Sequence, residues 1–340
     1  CLDTNFTAND VKQMIGNRYT VTNTAPTISC LDAIKNCLLQ TKQFKISTSF
    51  SEIETTSDGQ VFMPSDIEEM YNHIMNFRVE DSSLQKYDRS DIKAVLYDWQ
   101  RQSKMRAITN IYEKMKYNSE YEQFCTNYCK TVYDYFGIKE RYEIFETLFK
   151  HWAWQVKRKM TGKPVVWHIW INFFGGTGIG KSYFINKLSD ILEEYSTRTT
   201  ISKIFDDTKE VKRLTEKFIL NFDELAINRD DASNEGALST DEQSTLKSML
   251  TGEKMDNRVY GTQNQARRRI TFSCISSSNT HLYDVIFDET SMRRFFDFTC
   301  SSAIKTEDDY AKFNQWLDNS DKFWMGINEN LENGYWNPQN

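Results

Sequence analysis

Eight residues in the middle of the chain, Gly175-Gly176-Thr177-Gly178-Ile179-Gly180-Lys181-Ser182, stand between the apolar stretch Val165 to Phe174 and the helix-forming stretch Tyr183 to Tyr195. Small residues between a strand and a helix let successive backbone N–H groups wrap an anion, and the helix N-terminus adds partial positive charge. In the pattern G-x-x-x-x-G-K-S, Lys181 reaches the β- and γ-phosphates of a nucleotide and the Ser182 hydroxyl ligates Mg²⁺. ATP and Mg²⁺ are therefore the expected cofactors, with residues 175–182 (Gly175, Gly176, Thr177, Gly178, Ile179, Gly180, Lys181, Ser182) as the ATP-binding loop. A strand, loop and helix of this kind build an α/β fold with a parallel sheet. Further strands are expected near 199–204, 217–222, 270–277 and 294–299, with the first near 166–174. Five strands alternating with helices predict a doubly wound, mostly parallel five-stranded sheet.

The rest of the composition agrees with a large folded protein. Apolar residues make up 39% and aromatics 14% of the 340 residues, enough to bury a sizeable core. Only 13 Gly and 4 Pro favour long helices over turn-dense all-β architecture. The longest apolar run, Val165 to Phe174, contains His168 and Asn172 and falls short of the roughly 18 residues of a spanning helix, so no membrane partner is expected. A net charge of -6 excludes a globally basic nucleic-acid coat; a polyanion must meet a local basic surface. The 7 cysteines are scattered and no signal pattern precedes them, which predicts free thiols in a reducing, cytoplasmic setting. Cys125 and Cys129 share a helical face, but no second Cys or His pair stands near to complete a zinc site. The chain opens on Cys1, which we read as a piece of a longer polypeptide.

Four regions are expected: an N-terminal module of unassigned role (1–90), a helical region serving oligomerisation (91–160), an ATPase core (161–300) and a C-terminal helical tail (301–340). In the first, Ser65 and Glu68 have capping-box spacing ahead of the stripe Ile67, Met70, Tyr71 and Ile74. In the second, helices are predicted over Asp91 to Met115, Ser119 to Phe136 and Lys139 to Met160. The last of these carries Tyr142, Phe145, Leu148, Phe149 and Trp152 at spacings of three and four, a packing stripe, and Thr161, Gly162 and Pro164 end it.

Three more groups fit the chemistry of a phosphate loop. The apolar strand Lys217 to Phe222 ends in Asp223-Glu224, where Asp223 serves the metal together with Ser182 and Glu224 polarises the attacking water. The strand Ile270 to Ser277 leads to Asn279, whose amide suits both the γ-phosphate and the water; a turn residue is the plainer reading. Arg293 and Arg294 precede an apolar strand, and a guanidinium there neutralises charge on the transferred phosphoryl group, often from a neighbouring subunit. Arg294 is the first choice and Arg293 the second.

In this order and spacing the four motifs resemble the superfamily 3 helicases of viruses and mobile elements, within them the virulence-associated E and phage or plasmid primase-helicase group. The resemblance covers about Phe145 to Phe298, including His151-Trp152, Lys157-Arg158, Gly162-Lys163-Pro164, Leu246-Lys247, Thr251-Gly252, Arg258-Val259-Tyr260-Gly261, Arg268, Ser278-Asn279 and Asp288 to Phe295. It implies an AAA+-type P-loop core that assembles into a homo-oligomeric ring, usually a hexamer, and translocates on single-stranded or forked DNA, commonly 3′ to 5′. A primase domain or other replication proteins are implied partners. The chain departs from the family in having Thr290-Ser291-Met292 where Thr-Gly-Asn is usual, which leaves the choice between Arg293 and Arg294 open. Residues 1–90 carry no motif of the family.

The related helicases project a hairpin into the ring channel between the second and third of these motifs. Here Met255 to Tyr260 and Gln265 to Ile270 pair around Gly261 to Asn264. Arg258, Arg267 and Arg268, with the tip residues Thr262, Gln263 and Asn264, are the candidate contacts to strand phosphates; a solvated or intersubunit hairpin is the alternative. A second basic run, Lys150, Lys157, Arg158, Lys159 and Lys163, reads as a solvated helix end or as another nucleic-acid path. Two other functions suit the same core: an AAA+ ATPase that remodels protein or loads another helicase, and a nucleotide-regulated assembly module.

Overall fold

The computed structural model describes residues 29–41, 44–46, 53–57, 61–65, 67–79, 82–206, 214–225, 246, 254–258, 265–285, 292–301 and 305–338, in two units, 1–107 and 108–340. The first unit contains α1 (Cys30–Thr41), an antiparallel sheet of β1 (Phe44–Ile46), β2 (Ile53–Ser57) and β3 (Val61–Ser65), and α2 (Ile67–Phe77). α3 (Arg89–Met115) begins in it and crosses the division. Its core gathers Ala33, Ile34 and Cys37 of α1, Met70 and Ile74 of α2, and Ile92, Leu96 and Trp99 of α3. Met70, Tyr71 and Ile74 of the predicted stripe of α2 pack in this core, and Ser65 is the last residue of β3, paired with Ile53, its side chain and the residue between it and the helix lying outside the described residues.

The second unit is built on a sheet whose three central strands are buried on both faces. Two helices precede it, α4 (Glu122–Phe136) and α5 (Tyr142–Met160). Its strands and short helices follow in the order β4 (Trp170–Phe174), α6 (Lys181–Ser189), β5 (Ser196–Thr199), α7 (Ile201–Asp206), β6 (Ile219–Asp223), the hairpin β7 (Lys254–Arg258) and β8 (Gln265–Arg269), β9 (Ser273–Ser278), α8 (Leu282–Val285) and β10 (Phe295–Thr299). The tail forms α9 (Glu307–Leu317) and α10 (Ser320–Met325). Strand order is β10-β4-β9-β6-β5, and every pairing is parallel. The sheet is therefore the five-stranded α/β P-loop type that the phosphate-loop context predicts. One expected strand moves: β5 occupies 196–199, and most of the span 199–204 belongs to helix α7.

The aromatic stripe of α5 packs inward. Phe145, Phe149 and Trp152 are fully buried, Phe145 meeting Phe173 of β4 and Phe298 of β10. Each such side chain contributes about 1.5–3 kcal/mol by leaving water. The basic run at the end of α5 is not a solvated surface, contrary to both sequence readings. Lys157 is fully buried; its Nζ donates to Trp324 O (3.0 Å) and Ile327 O (2.6 Å) and pairs with Glu329 Oε2 at 2.7 Å. Arg158 donates to the carbonyls of Pro164 (2.6 Å) and Leu331 (3.0 Å), and Lys159 to that of Phe272. Lys150 is bound to Glu146 at 2.6 Å, and Lys163 to Asn330 at 2.7 Å. Lys157 and Arg158 thereby satisfy carbonyls that would otherwise be orphaned where the tail folds back over α5. Burial pushes Lys157 and Lys159 down to about 8, and burial alone would raise the Glu329 carboxyl, but Lys157 and Tyr112 together hold it below its ordinary range.

His151 fastens the last turn of the tail. Its Nε2 lies 3.0 Å from Trp167 O, and Nδ1 accepts the N–H groups of Tyr335 (3.2 Å) and Trp336 (3.1 Å). An Nδ1 that accepts must be unprotonated, and burial accordingly pushes this imidazole down to about 4. Gly334 is required beside it, because a Cβ there would stand 2.6 Å from Nδ1 and its φ is +69°. Among the described residues no helix is long and apolar enough to cross a membrane, and Cys30, Cys37, Cys125, Cys129, Cys274 and Cys300 are free thiols.

A folded-state pKa below the unfolded value means that the unfolded chain binds the extra proton as pH falls from about 6.5 towards 4, so stability falls in that window. The melting temperature of the wild type should drop more steeply from pH 6.5 to pH 4 than that of His151→Asn, and parallel slopes would remove His151 as the cause.

Candidate functional site

The phosphate loop is held over the carboxyl ends of the sheet by the two strands that flank β4. Gly175 N donates to Ser278 O at 3.0 Å on the β9 side, and Cys300 N to Phe174 O at 2.7 Å on the β10 side. A Cβ at Gly175 would lie 3.0 Å from Cys300 O, a tight contact at a φ of +158° that L side chains rarely adopt, which favours glycine here. At the other end of the loop Gly180, at φ +88°, turns the chain into α6. Residues 177–183 of the loop and helix line a cavity of about 470 Å³ with Asp223, Glu224, Ser277, Ser278 and Asn279. The fold thus brings the loop, the Asp-Glu pair and Asn279 together, as their spacing predicts.

Within the cavity the polar groups satisfy one another. Ser182 Oγ donates to Asp223 Oδ1 at 2.5 Å, and Ser277 Oγ reaches the same oxygen at 3.1 Å and Ser182 Oγ at 3.0 Å. Lys181, buried to 7% exposure, donates to Gly175 O (2.7 Å) and Gly176 O (2.6 Å), and burial lowers its pKa against the weaker pull of Cys300 and Asp223. A hydroxyl beside a carboxylate is a hard oxygen pair of the kind Mg²⁺ accepts; that ion takes one or two protein oxygens and completes its shell with water and phosphate. Glu224 follows at the strand end, exposed, with its N–H on Ser277 O at 3.1 Å and a φ of +96°. A positive φ is costly for a residue with a Cβ, and it breaks the extended backbone directly after Asp223.

Two groups escaped the sequence reading. Arg198 at the end of β5 places Nη1 3.4 Å from Asp223 Oδ2 and donates from Nε to Asn186 Oδ1 at 3.1 Å. Beneath the loop Asn172 donates to Asp297 Oδ1 at 2.7 Å and accepts from Ser276 Oγ at 2.9 Å, joining β4 to both neighbours. Asp297 Oδ2 also meets His281 Nδ1 at 3.0 Å, and the His281 ring stacks on Phe174 at 3.6 Å, which ties down the turn after Asn279. Only the polar interruptions Asn172 and Asp297 within apolar strands signalled this network, and nothing in the sequence singled out Arg198.

Arg293 and Arg294 do not join the cavity. They lie in a turn, Met292–Arg294, directly before β10, whose first residue Phe295 pairs with Trp170, the first residue of β4. In a parallel sheet this is the end opposite the phosphate loop. Arg293 is exposed and Arg294 half-buried, and both line a separate cavity of about 290 Å³. The hairpin is present: β7 and β8 are antiparallel, with Arg258 opposite Gln265, Arg267 opposite Asp256 and Arg268 opposite Met255. Thr262, Gln263 and Asn264 lie outside the described residues.

Compared with known proteins, the chain matches the family profile of the virulence-associated protein E-like domain over residues 114–339. Among solved structures it is similar to the apo C-terminal region of NrS-1 (305–718), at 18% identity and a TM-score of 0.45, covering 64% of this chain and 50% of that one. Another apo form of the region gives 17% and 0.44, covering 63% and 48%. JCV helicase bound to an acetamide compound gives 12% and 0.37, covering 89% and 87%. The chain spans about half the length of the NrS-1 region. No curated protein sequence matches it.

The positive φ of Glu224 predicts that Glu224→Gly is more stable than Glu224→Ala by about 1–2 kcal/mol in denaturant unfolding, since only glycine is relieved of the Cβ clash. Equal midpoints for the two variants would mean that the turn carries no strain.

Proposed function

The chain belongs to the virulence-associated protein E-like domain family, and we propose that its P-loop core hydrolyses ATP with Mg²⁺ and drives movement along single-stranded or forked DNA in the replication of a phage, virus or mobile element. The observation that carries this reading is the Ser182, Asp223 and Ser277 cluster beside the loop, with Glu224 and Asn279 on the same rim. Nucleotide binding without hydrolysis would need only the loop. A second carboxylate and an amide at the adjacent strand ends are what an attacking water requires.

In this mechanism backbone N–H groups of residues 175–182 wrap the phosphates. Lys181 gives up its two carbonyl partners for the β- and γ-phosphates, a competition that makes the empty loop self-satisfied. Ser182 and Asp223 would hold Mg²⁺, which would supply charge neutralisation on the phosphate oxygens. Glu224 orients the water and accepts its proton, while Asn279, at the end of the strand that anchors Gly175, hydrogen-bonds the γ-phosphate and the water. The arginines stand at the far end of the sheet, so their part in hydrolysis is on the nucleotide of a second copy; this supports a homo-oligomer, read as a hexamer from the family resemblance. Exposure favours Arg293 for that reach, whereas the sequence order favours Arg294. The hairpin residues Arg258, Arg267 and Arg268, with Thr262, Gln263 and Asn264 at its tip, are assigned to strand phosphates, and a primase domain or other replication proteins to the partners. The helical region 91–160 is assigned to assembly.

The function is tested by ATPase rates with and without single-stranded DNA, paired with unwinding of a forked duplex: stimulation and unwinding are expected, and basal hydrolysis indifferent to DNA would favour a protein-remodelling ATPase. Lys181→Ala should lose nucleotide binding, whereas Glu224→Gln should bind normally and turn over at least about 100-fold more slowly. Wild-type turnover in Glu224→Gln would take the water from that carboxylate.

Mixing Lys181→Ala chains with Arg293→Ala chains, and separately with Arg294→Ala chains, should restore part of the activity only for the arginine that acts between copies. No recovery in either mixed assembly would place hydrolysis within a single protomer.

A further inference from the structure

The cavity at the amino end of the sheet has walls unlike those of the phosphate-loop site. It is lined by Val166, Trp167 and His168 ahead of β4, by Arg293 and Arg294 ahead of β10, and by Trp336 of the tail. Two indoles thus face a pair of arginines for which no hydrogen bond or ion pair is formed among the described residues. Burial, and then the neighbouring Arg293, lower the pKa of Arg294, the signature of a cation without its counter-charge. His168 carries a buried Nδ1 without a hydrogen-bond partner, and burial, Lys159, Arg294 and His151 push it down to about 3, so it remains neutral.

The aromatic walls are held in place. Trp336 hangs by its N–H from His151 Nδ1 at 3.1 Å and sets its ring edge-on to Phe296, with centroids 5.2 Å apart. Trp167 adopts φ +55°, a left-handed conformation that a bulky residue rarely takes, and strain of this kind collects at ligand clamps. An unpaired guanidinium and two indoles lining one cavity suit a phosphate joined to an aromatic ring, the composition of a nucleotide. At about 290 Å³ the space lies at the lower end of small-molecule sites, room for one such unit. Topology says which source delivers it. β4, β9 and β10 all start at this end of the parallel sheet, and β8 of the hairpin ends at Arg269, four residues before β9 begins. The hairpin is thus rooted at the end of the sheet on which the cavity opens, whereas the ATP loop lies at the other.

We propose that this cavity seats one nucleotide of a single DNA strand, its phosphate on Arg294 and its base against Trp167 and Trp336. The inference rests on the reading that the chain binds single strands, and it leaves the more exposed Arg293 for the neighbouring copy.

The full chain is titrated with oligothymidylate, without ATP, by anisotropy and intrinsic tryptophan fluorescence, across a range of salt. Binding should quench tryptophan emission. Trp336→Ala should weaken affinity about tenfold and keep basal ATPase, and Trp336→Phe should retain most of the affinity. Arg294→Ala should lower the slope of log affinity against log salt by about one, which Arg294→Lys should restore; this pair and Trp336→Phe keep the test valid if an alanine variant unfolds. Free dTMP distinguishes the source: the oligomer should bind far more tightly, and equal affinity would overturn the strand seat in favour of a mononucleotide site. Wild-type binding that Trp336→Phe, Trp336→Ala and both Arg294 variants leave unchanged would overturn the cavity assignment while the functional reading stands. Absence of any wild-type binding would overturn the reading itself.

Discussion

Two backbone hydrogen bonds, Gly175 N to Ser278 O and Cys300 N to Phe174 O, hold the phosphate loop between the ends of its neighbouring strands, and the geometry of the site follows from them. Because β9 lies between β4 and β6, the strand carrying Asp223 is not adjacent to the strand carrying the loop. The gap this leaves is bridged by Ser277 on the intervening strand, whose hydroxyl meets both Ser182 and Asp223. A hydroxyl and a carboxylate 2.5 Å apart are thus brought together from residues 41 positions apart along the chain. The same intervening strand continues into Asn279, so one element both anchors the loop and presents the amide on the rim of the cavity.

The buried cations of α5 solve a different problem. Lys157, Arg158 and Lys159 stand in its last turn, where the carbonyl end of the helix favours positive charge, yet they do not reach solvent. They are spent on carbonyls of the tail and of the turn before β9, and Lys157 with Glu329 forms a buried pair. Taking either partner away would leave an uncompensated charge, a loss of about 3–5 kcal/mol. The tail is therefore part of the core unit, and through His151 and Trp336 it completes one wall of the cavity at the amino end of the sheet.

Much of this architecture was legible from periodicity and punctuation. The loop motif requires a strand before it and a helix after it. The stripe of α5 and the five apolar segments have the periods of elements that must bury one face or both, and the hairpin strands flank a Gly-containing turn. Its missteps share a physical origin. The basic run looks solvated because long cations are rarely buried, and only the carbonyls of a distant segment make burial tolerable. Arg198 carries no signal, since a charged residue at a strand end is ordinary until the fold sets it 3.4 Å from Asp223.

The sequence by itself determined the class of the fold and marked the candidate residues of the loop, because both are local: a strand, a glycine turn and a helix, with Lys181 and Ser182 at set offsets within them. It also marked Asp223, Glu224 and Asn279 as residues at strand ends. Which strand ends meet, and which lie apart, is a matter of strand order and direction, and that only the tertiary structure decided. Parallel pairing in the order β10-β4-β9-β6-β5 gathers the carboxyl ends at the loop and sends Arg293 and Arg294, which precede their strand, to the opposite end. No local pattern encodes this division, because a residue before a strand and a residue after one differ only in which end of the sheet they reach once the strands are laid side by side.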